Sequence, residues 1–156
     1  MKIVKLITIA VLIHLFLFQS LNAQTSSQTV ILKEGFNFIS FTVVPSITAQ
    51  QLIQQYQNIE DIYFYNPFAG SFLSYNDGNL SALGSGKGYI IKAKSQTEIS
   101  ITGEAITNTS DIILKPGFNL VGFSKISGTT KFNEFVEKSN KIQGIYKWNS
   151  GSGSFI

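Results

Sequence analysis

Short apolar runs separated by polar or glycine-containing breaks recur along this chain, and residues 98–102 alternate between polar and apolar, which is the pattern of β-strands. One arrangement occurs twice, at residues 29–44 and 111–123: an apolar run, a polar break, and a second apolar run. The break has the sequence Lys-x-Gly-Phe-Asn in both places and contains Gly35 and Gly117. Because glycine tolerates the positive φ of tight turns, each arrangement predicts a β-hairpin.

The remaining pattern up to residue 104 predicts one short helix and four further strands. The helix is predicted at residues 49–57, where the apolar positions share one face and Ser46 or Thr48 can cap the first turn. In chain order, the predicted strands are 59–66, 71–75, 89–93 and 98–102, and the breaks between them are turns at 66–70 and 76–79 and a glycine-rich loop at 84–88.

The second half of the chain repeats this order at a nearly constant spacing. Gly117 lies 82 positions after Gly35, and Phe155 lies 83 positions after Phe72. Such a spacing, kept across elements of different type, is the signature of an internal repeat. The predicted elements of the second half are a helix at 131–140 capped by Thr130, a strand at 142–148, a turn at 149–153 and a returning strand at 154–156.

We therefore predict a mainly β fold with one short helix per repeat, either β-sandwich-like or α+β. The second repeat is incomplete, because no counterpart of the Gly-Lys-Gly-Tyr stretch at 86–89 or of the strand at 98–102 follows it. We expect either that the chain belongs to a longer surface protein or that its end pairs with another segment. The predicted organisation is a leader at 1–23, a polar tether at 24–28, repeat 1 at 29–104, a connector at 105–110 and a partial repeat 2 at 111–156.

The first residues have the order of a secretory signal peptide. Lys2 and Lys5 precede an apolar stretch at 6–18, and the small residue Ala23 precedes Gln24. The alternative is an uncleaved membrane anchor, but the stretch is shorter than the roughly 20 residues that a spanning helix needs. The sequence thus predicts a secreted or cell-surface protein, cleaved near Gln24 and without a membrane segment thereafter.

Charge and composition exclude several classes of function. After removal of the leader, ten Lys face nine Asp and Glu, and the chain contains no Arg, so a nucleic-acid interface is not expected. Cysteine is absent and His14 lies in the leader, which excludes Cys- or His-based triads and the usual zinc sites from the mature chain. The loop at 84–88 lacks the glycine spacing and the Ser or Thr of a phosphate-binding loop. We therefore predict no catalytic residues, no metal and no cofactor.

The motifs resemble those of a β-rich repeat found in secreted bacterial surface proteins. In this chain they are Lys-x-Gly-Phe-Asn-Phe-Ile-Ser at 33–40, Ile-Tyr-Phe-Tyr-Asn at 62–66 and Gly-Lys-Gly-Tyr-Ile-Ile at 86–91. The repeat carries Gly-Trp-Asn-Leu-Ile-Ser and Gly-Lys-Gly-Tyr-Trp-Ile, so apolar residues here replace its tryptophans. The resemblance implies an extracellular location and a β-rich architecture, and it implies no catalytic role and no ligand.

Aromatic residues are the remaining candidates for a binding surface. Tyr63 and Tyr65 share one face of the strand at 59–66, and together with Tyr75 and Tyr89 they form a candidate ligand platform. The competing interpretation is that the Tyr63 face is the core, and we favour it, because Lys147 replaces Phe64 of the opposite face in the second repeat.

The function predicted from these observations is an exported, non-enzymatic surface module that acts as a structural or adhesive repeat. The alternative is a carbohydrate-binding module with the tyrosine platform as its site. The expected partners are a glycan or another surface protein, and self-association through unpaired strand edges is a further possibility.

Overall fold

The computed structural model describes residues 25–106, 113–122, 131–149 and 151–156, and most elements in these ranges are strands. The prediction of a mainly β chain with short helices is confirmed. The predicted leader lies outside the described residues. In chain order the elements are β1 (Thr25–Leu32), β2 (Gly35–Ser40), β3 (Val43–Pro45), α1 (Ala49–Gln55), β4 (Ile59–Asn66), β5 (Ser71–Ser74), β6 (Gly88–Ala93), β7 (Thr97–Ala105), α2 (Phe132–Lys138), β8 (Trp148–Asn149) and β9 (Ser154–Phe155).

The strands of residues 29–104, called here the first segment, form two antiparallel sheets that share one core. The first sheet has the order β1-β7-β3 and the second has the order β2-β6-β4-β5. Two sheets that face each other across a common core have the layout of a β-sandwich. The core residues without exposed surface come from both sheets, from α1 and from the β2–β3 link: Leu32, Phe41, Ala49, Leu52, Ile62, Ile91, Ile99 and Ile101.

The predicted hairpin at residues 29–44 is wrong. β1 pairs with β7 in the first sheet, whereas β2 pairs with β6 in the second, so the chain crosses between layers at residues 33–34. The crossing allows the two apolar runs to cover the core from opposite sides, which a hairpin within one sheet cannot do. Residues 25–28, predicted as a tether, form the start of β1 because β7 pairs with the whole length of that strand.

The side chain of Asn37 holds the chain at this crossing. Its Oδ1 accepts a hydrogen bond from the N–H of Lys33 (2.9 Å), and its Nδ2 donates to the carbonyls of Lys33 (2.7 Å), Gly35 (3.1 Å) and Ile91 (3.3 Å). Gly35 has φ of 87°, a conformation that is available to glycine and costly for other residues. Asn37 is buried, and its bond to the carbonyl of Ile91 is buried as well, so a polar group inside the protein has a partner there.

A second crossing, between β2 and β3, is held by Gln28. The predicted single strand at 36–44 is interrupted there, and β3 returns to the first sheet beside β7. Gln28 Nε2 donates to the carbonyl of Ser40 (2.9 Å), and Gln28 Oε1 accepts from the N–H of Thr42 (2.8 Å). A side chain of β1 therefore replaces the ladder bonds that the break removes.

Helix α1 begins with a reciprocal cap. Thr48 Oγ1 accepts from the N–H of Gln51 (3.2 Å), and Gln51 Oε1 accepts from the N–H of Thr48 (2.8 Å). Of the two predicted caps, Thr48 is therefore correct, while Ser46 donates to the carbonyl of Thr102. Among the described residues no helix is both long and apolar enough to cross a membrane.

The predicted strands at 59–66, 71–75, 89–93 and 98–102 are confirmed as β4 to β7. β7 continues past Gly103 to Ala105 because β1 and β3 pair with it on both sides. Asn66 closes the β4–β5 turn, since its Oδ1 accepts from the N–H of Phe68 (3.0 Å). The sequence therefore predicted these four strands well, and β4 pairs with β5 across the turn expected at 66–70.

The described residues of 111–156, called here the second segment, reproduce several local features of the first. α2 and the strand pair β8–β9 lie 83 positions after α1 and after the paired ends of β4 and β5. Asn119 repeats three bonds of Asn37: it accepts from the N–H of Lys115 (3.0 Å) and donates to the carbonyls of Lys115 (2.8 Å) and Gly117 (3.0 Å). The local turn chemistry is therefore the same in both places.

The second segment differs from its prediction where longer-range pairing is needed. The strand predicted at 142–148 is present only as β8, and no strand is assigned in 113–120. In the first segment β4 and β2 both pair with β6, and the sequence contains no second copy of β6. Thr130 lies outside the described residues, and Lys131 occupies the N-cap of α2 without a side-chain bond.

Replacing Asn37 with alanine should lower the free energy of unfolding by about 2–3 kcal/mol, because four hydrogen bonds disappear, one of them buried and three partly buried. The matched Asn119→Ala change should cost about 1 kcal/mol or less, since that turn is not packed into the core. Urea unfolding followed by circular dichroism measures both. Equal losses would contradict the assignment of Asn37 to the sheet crossing.

Candidate functional site

The outward side of the second sheet carries a continuous row of aromatic side chains. We call Phe36, Phe38, Tyr63, Tyr65 and Phe72 the outer aromatic face. Strand pairing sets their neighbours: Phe38 and Tyr63 both oppose Ile90 of β6, and Tyr65 opposes Phe72 of β5. None of the five belongs to the hydrophobic core, so their rings are available on the side of the sheet away from the first sheet.

The prediction that the Tyr63 face is the core is wrong. Ile62 is fully buried and Phe64 packs against the core with its ring 5.8 Å from that of Tyr89, so the core is on the opposite side of β4. The substitution of Phe64 by Lys147 does not report on the core, because Lys147 is exposed and precedes β8, outside the core of the first segment. Because β4 has apolar residues on both faces, its sequence does not show which face belongs to the core.

The four residues of the predicted tyrosine platform do not lie together. Tyr63 and Tyr65 are on the outer aromatic face, whereas Tyr75 is half-buried against the core. Tyr89 is only 1% exposed, and its hydroxyl accepts a hydrogen bond from the N–H of Gly84 (2.8 Å). A surface ligand can therefore contact Tyr63 and Tyr65, and Tyr89 is excluded by burial.

Two aromatic pairs remain partly open on this face. The rings of Phe36 and Tyr63 lie 6.4 Å apart, and those of Tyr65 and Phe72 lie 5.2 Å apart. Phe36 and Phe72 are each 52% exposed. Lys92 Nζ lies 5.8 Å from the centre of the Phe36 ring, so one pair also has a cation beside it.

A buried carboxylate sits behind Tyr63. Asp61 accepts hydrogen bonds from Ser74 Oγ (2.6 Å) and from the N–H groups of Ile62 (2.8 Å) and Asn76 (3.2 Å). Burial, and then the negative charge of Asp61, raise the pKa of Tyr63 above its ordinary value. The phenol therefore stays neutral at physiological pH. Sequence reasoning missed the burial of Asp61, because Glu60 and Asp61 are adjacent acids near the start of β4 and the sequence does not show which of them points inward.

The other acids in the described ranges are not gathered into a metal site. Within those ranges there is no group of three or more His, Cys, Asp or Glu side chains able to hold a metal ion. Glu60 instead pairs with Lys92 at 2.7 Å, and both side chains are partly exposed. An exposed ion pair of this kind contributes little to stability. Its main consequence is that a positive and a negative group lie beside Phe36.

The second segment covers one part of the outer aromatic face. Trp148 and Phe155 place their rings 4.5 Å and 5.2 Å from that of Phe38. Gly122 also approaches closely, since a Cβ there would lie 2.2 Å from Ser40 Cβ. The contact therefore requires glycine at this position.

Comparisons with known proteins assign no family to the chain. It matches no protein-family model, no curated protein and no solved structure. The resemblance to secreted bacterial repeats therefore rests on the motifs at 33–40, 62–66 and 86–91. The outer aromatic face and the contact between the two segments are the structural features that bear on function.

Stability should fall as pH rises above about 10, because burial raises the pKa of Tyr89 in the folded protein. The stabilisation that the folded protein gains by keeping the Tyr89 phenol neutral is complete below the pKa of this group in the unfolded chain. It is lost as the pH rises through the higher pKa of Tyr89 in the folded protein. Tyr89→Phe should cost about 1 kcal/mol at pH 8 through loss of the bond from Gly84, and it should make the alkaline decline shallower. Urea unfolding between pH 8 and 11 measures this, with the exposed-site change Tyr146→Phe as control. An unchanged decline in Tyr89→Phe would contradict the prediction.

Proposed function

We propose that the protein is an exported, non-enzymatic surface module that acts as a structural or adhesive repeat of a bacterial extracellular protein. The observation that carries this proposal is the contact of Trp148 and Phe155 with Phe38, by which one segment packs on the aromatic face of the other. The signal-peptide pattern at 1–23 supports export.

The proposal includes a tandem repeat. It is supported by the turn, the helix and the strand pair, which recur at offsets of 82 and 83 positions. Asn37 and Asn119 also make the same hydrogen bonds within their turns. Trp148 and Phe155 are the counterparts of Tyr65 and Phe72, so the contact joins outer-face residues of both repeats. An aromatic face that packs on its own counterpart suits a module that associates with others of its kind.

A surface-display experiment tests this function. Cells that make the protein should export it, and mass spectrometry should find a mature N-terminus at or near Gln24. Displayed protein should promote adhesion or clumping of the cells, and Phe72→Ser should reduce this at least about threefold, because it removes an exposed anchor of the outer aromatic face.

The matched control is Ile31→Ser, which removes a similarly exposed apolar side chain from the first sheet. It should leave adhesion unchanged. Retention of the protein inside the cell would contradict export. Equal loss of adhesion in both variants would contradict a specific role of the aromatic face.

A carbohydrate-binding module is the second candidate, and the partly open pairs Phe36–Tyr63 and Tyr65–Phe72 favour it. Aromatic rings on a sheet surface can stack on sugar rings, and Lys92 and Glu60 beside Phe36 offer hydrogen-bonding groups. Such a site would use Tyr63 and Tyr65 of the predicted platform, without Tyr89.

If this second function is correct, Tyr65→Ala should abolish binding on a glycan array while the far-ultraviolet circular dichroism stays unchanged. Tyr146→Ala serves as the control, because Tyr146 is exposed and lies outside the outer aromatic face. If the folded protein binds no glycan on the array, the carbohydrate-binding function is excluded and the adhesive function remains.

A further inference from the structure

Strand β1 is an edge strand of the first sheet and is paired on one side only in the described part of the chain. β7 lies along it in an unbroken register, from Thr25 opposite Glu104 to Leu32 opposite Thr97. The order β1-β7-β3 of the described strands leaves the other side of β1 without a neighbour. Since alternate backbone groups of an edge strand point away from its sheet, β1 presents a row of N–H and C=O groups with which a further strand can pair.

The four edge strands of the two sheets differ in how well they are protected against such pairing. β3 has three residues and ends at Pro45, and β5 has four residues. β2 has six residues, and the carbonyl of Ser40 at its end already accepts a hydrogen bond from Gln28. β1 has eight residues, Thr-Ser-Ser-Gln-Thr-Val-Ile-Leu, with no charge, no proline and no bulge in its register. Because short length, charge, proline and bulges are the usual protections of an edge, β1 is the edge most open to another strand.

The exposure of the side chains agrees with an edge that faces solvent. Val30 and Leu32 of β1 pack with the core, whereas Ile31 on the opposite face is 63% exposed. Thr29, two residues before Ile31 on that face, is also exposed. A strand beside β1 places a side chain next to each of these two residues and removes part of Ile31 from water.

The composition of β1 makes the same strand of a second copy a suitable neighbour. When a two-fold axis relates two antiparallel strands, each contact between them occurs twice with the same residues. Because β1 carries no charge, this symmetry brings no like charges together within the strand pair. Each copy also has to keep Val30 and Leu32 on its core side, so inward residues must lie opposite inward residues. The register with Thr29 opposite Thr29 of the second copy satisfies this condition.

Charges at the two ends of β1 favour that register. It brings Lys33, the exposed residue after β1, beside Thr25 of the second copy, whose neighbour in β7 is the exposed Glu104. Strands lie about 4.8 Å apart, so Lys33 and Glu104 of the second copy are about 10 Å apart at Cα, a distance that their side chains can bridge. The two-fold axis repeats the pair at the other end. The neighbouring allowed registers are shifted by two residues and lose both pairs.

We propose that two copies of this chain associate through their β1 strands. The strands pair antiparallel around a two-fold axis at Thr29 and join two three-stranded sheets into one sheet of six strands. The contact uses the free backbone groups of β1 and the opposite charges of Lys33 and Glu104. It is separate from the outer aromatic face, which lies on the second sheet. The inference rests neither on export and adhesion nor on the internal repeat.

Sedimentation equilibrium of the purified protein measures the association. One strand pair buries less than the roughly 1,200 Å² of a standard interface, so the dissociation constant should lie between about 10 µM and 1 mM. Thr29→Lys should raise it at least about tenfold, because it puts two like charges directly opposite each other. Thr29→Val keeps a β-branched residue without charge and should change it less than about twofold. Val44→Lys, at an exposed site on the short edge strand β3, is the control for added charge and should also have little effect.

Single-cysteine variants locate the axis, because the chain has no native cysteine. Thr29→Cys places the two thiols opposite each other, where the Cα separation of roughly 4.5–5.5 Å permits a disulfide. Ser27→Cys is on the same face of β1, but its two copies lie four residues apart along the strands, or about 14 Å, which is too far. After oxidation with copper phenanthroline, Thr29→Cys should give at least about tenfold more cross-linked dimer on a non-reducing gel than Ser27→Cys or Val44→Cys. Thermal melts of the reduced proteins check that all variants keep the fold.

A protein that stays monomeric across this concentration range would overturn the proposal. Equal weakening by Thr29→Lys and Val44→Lys would also overturn it, and so would equal cross-linking of the three cysteine variants or cross-linking at Ser27 without Thr29. The outcome is distinguishable from that for the proposed function. A monomer that is exported and promotes adhesion contradicts this inference alone, whereas a β1-linked dimer that stays inside the cell contradicts the proposed function alone.

Discussion

The side chain of Asn37 makes the four hydrogen bonds on which the two-layered arrangement of the first segment depends. A chain that leaves one sheet and enters another gives up ladder bonds at the crossing, and buried backbone groups without partners are costly. Asn37 supplies partners on both sides of Gly35 and adds one to β6, the strand that organises the second sheet. The apolar runs before and after it can then cover a common core from opposite sides.

The outer aromatic face follows from the same arrangement. Once Ile62 and Ile91 point inward, the alternation of β4 and β2 directs Tyr63 and Phe38 outward. The face is therefore a geometric consequence of how the core is filled. Of its five residues, Phe38 is covered by Trp148 and Phe155, whereas Phe36 and Phe72 remain about half exposed.

The second segment separates local from long-range determinants of structure. Its Asn119 turn, its helix and its β8–β9 pair form at the positions of their counterparts, because their hydrogen bonds join residues close in sequence. The strand predicted at 142–148 forms only at its end, because most of it would need a partner like β6. A strand depends on its neighbours in a way that a capped helix or an Asn-containing turn does not.

The amino-acid sequence by itself indicated where β4 to β7 lie, through apolar runs between turn residues. It determined the local features more directly: a cap at Ser46 or Thr48, a glycine with positive φ at residue 35, and the turn at Asn66. These depend on side chains and backbone groups a few residues apart. Only the tertiary structure decided which strands pair, that Tyr89 is buried, and that the Tyr63 face is outward. Both faces of β4 carry apolar residues, so its own sequence does not decide which face points inward. The orientation depends on which arrangement of all strands buries the most apolar surface in the core.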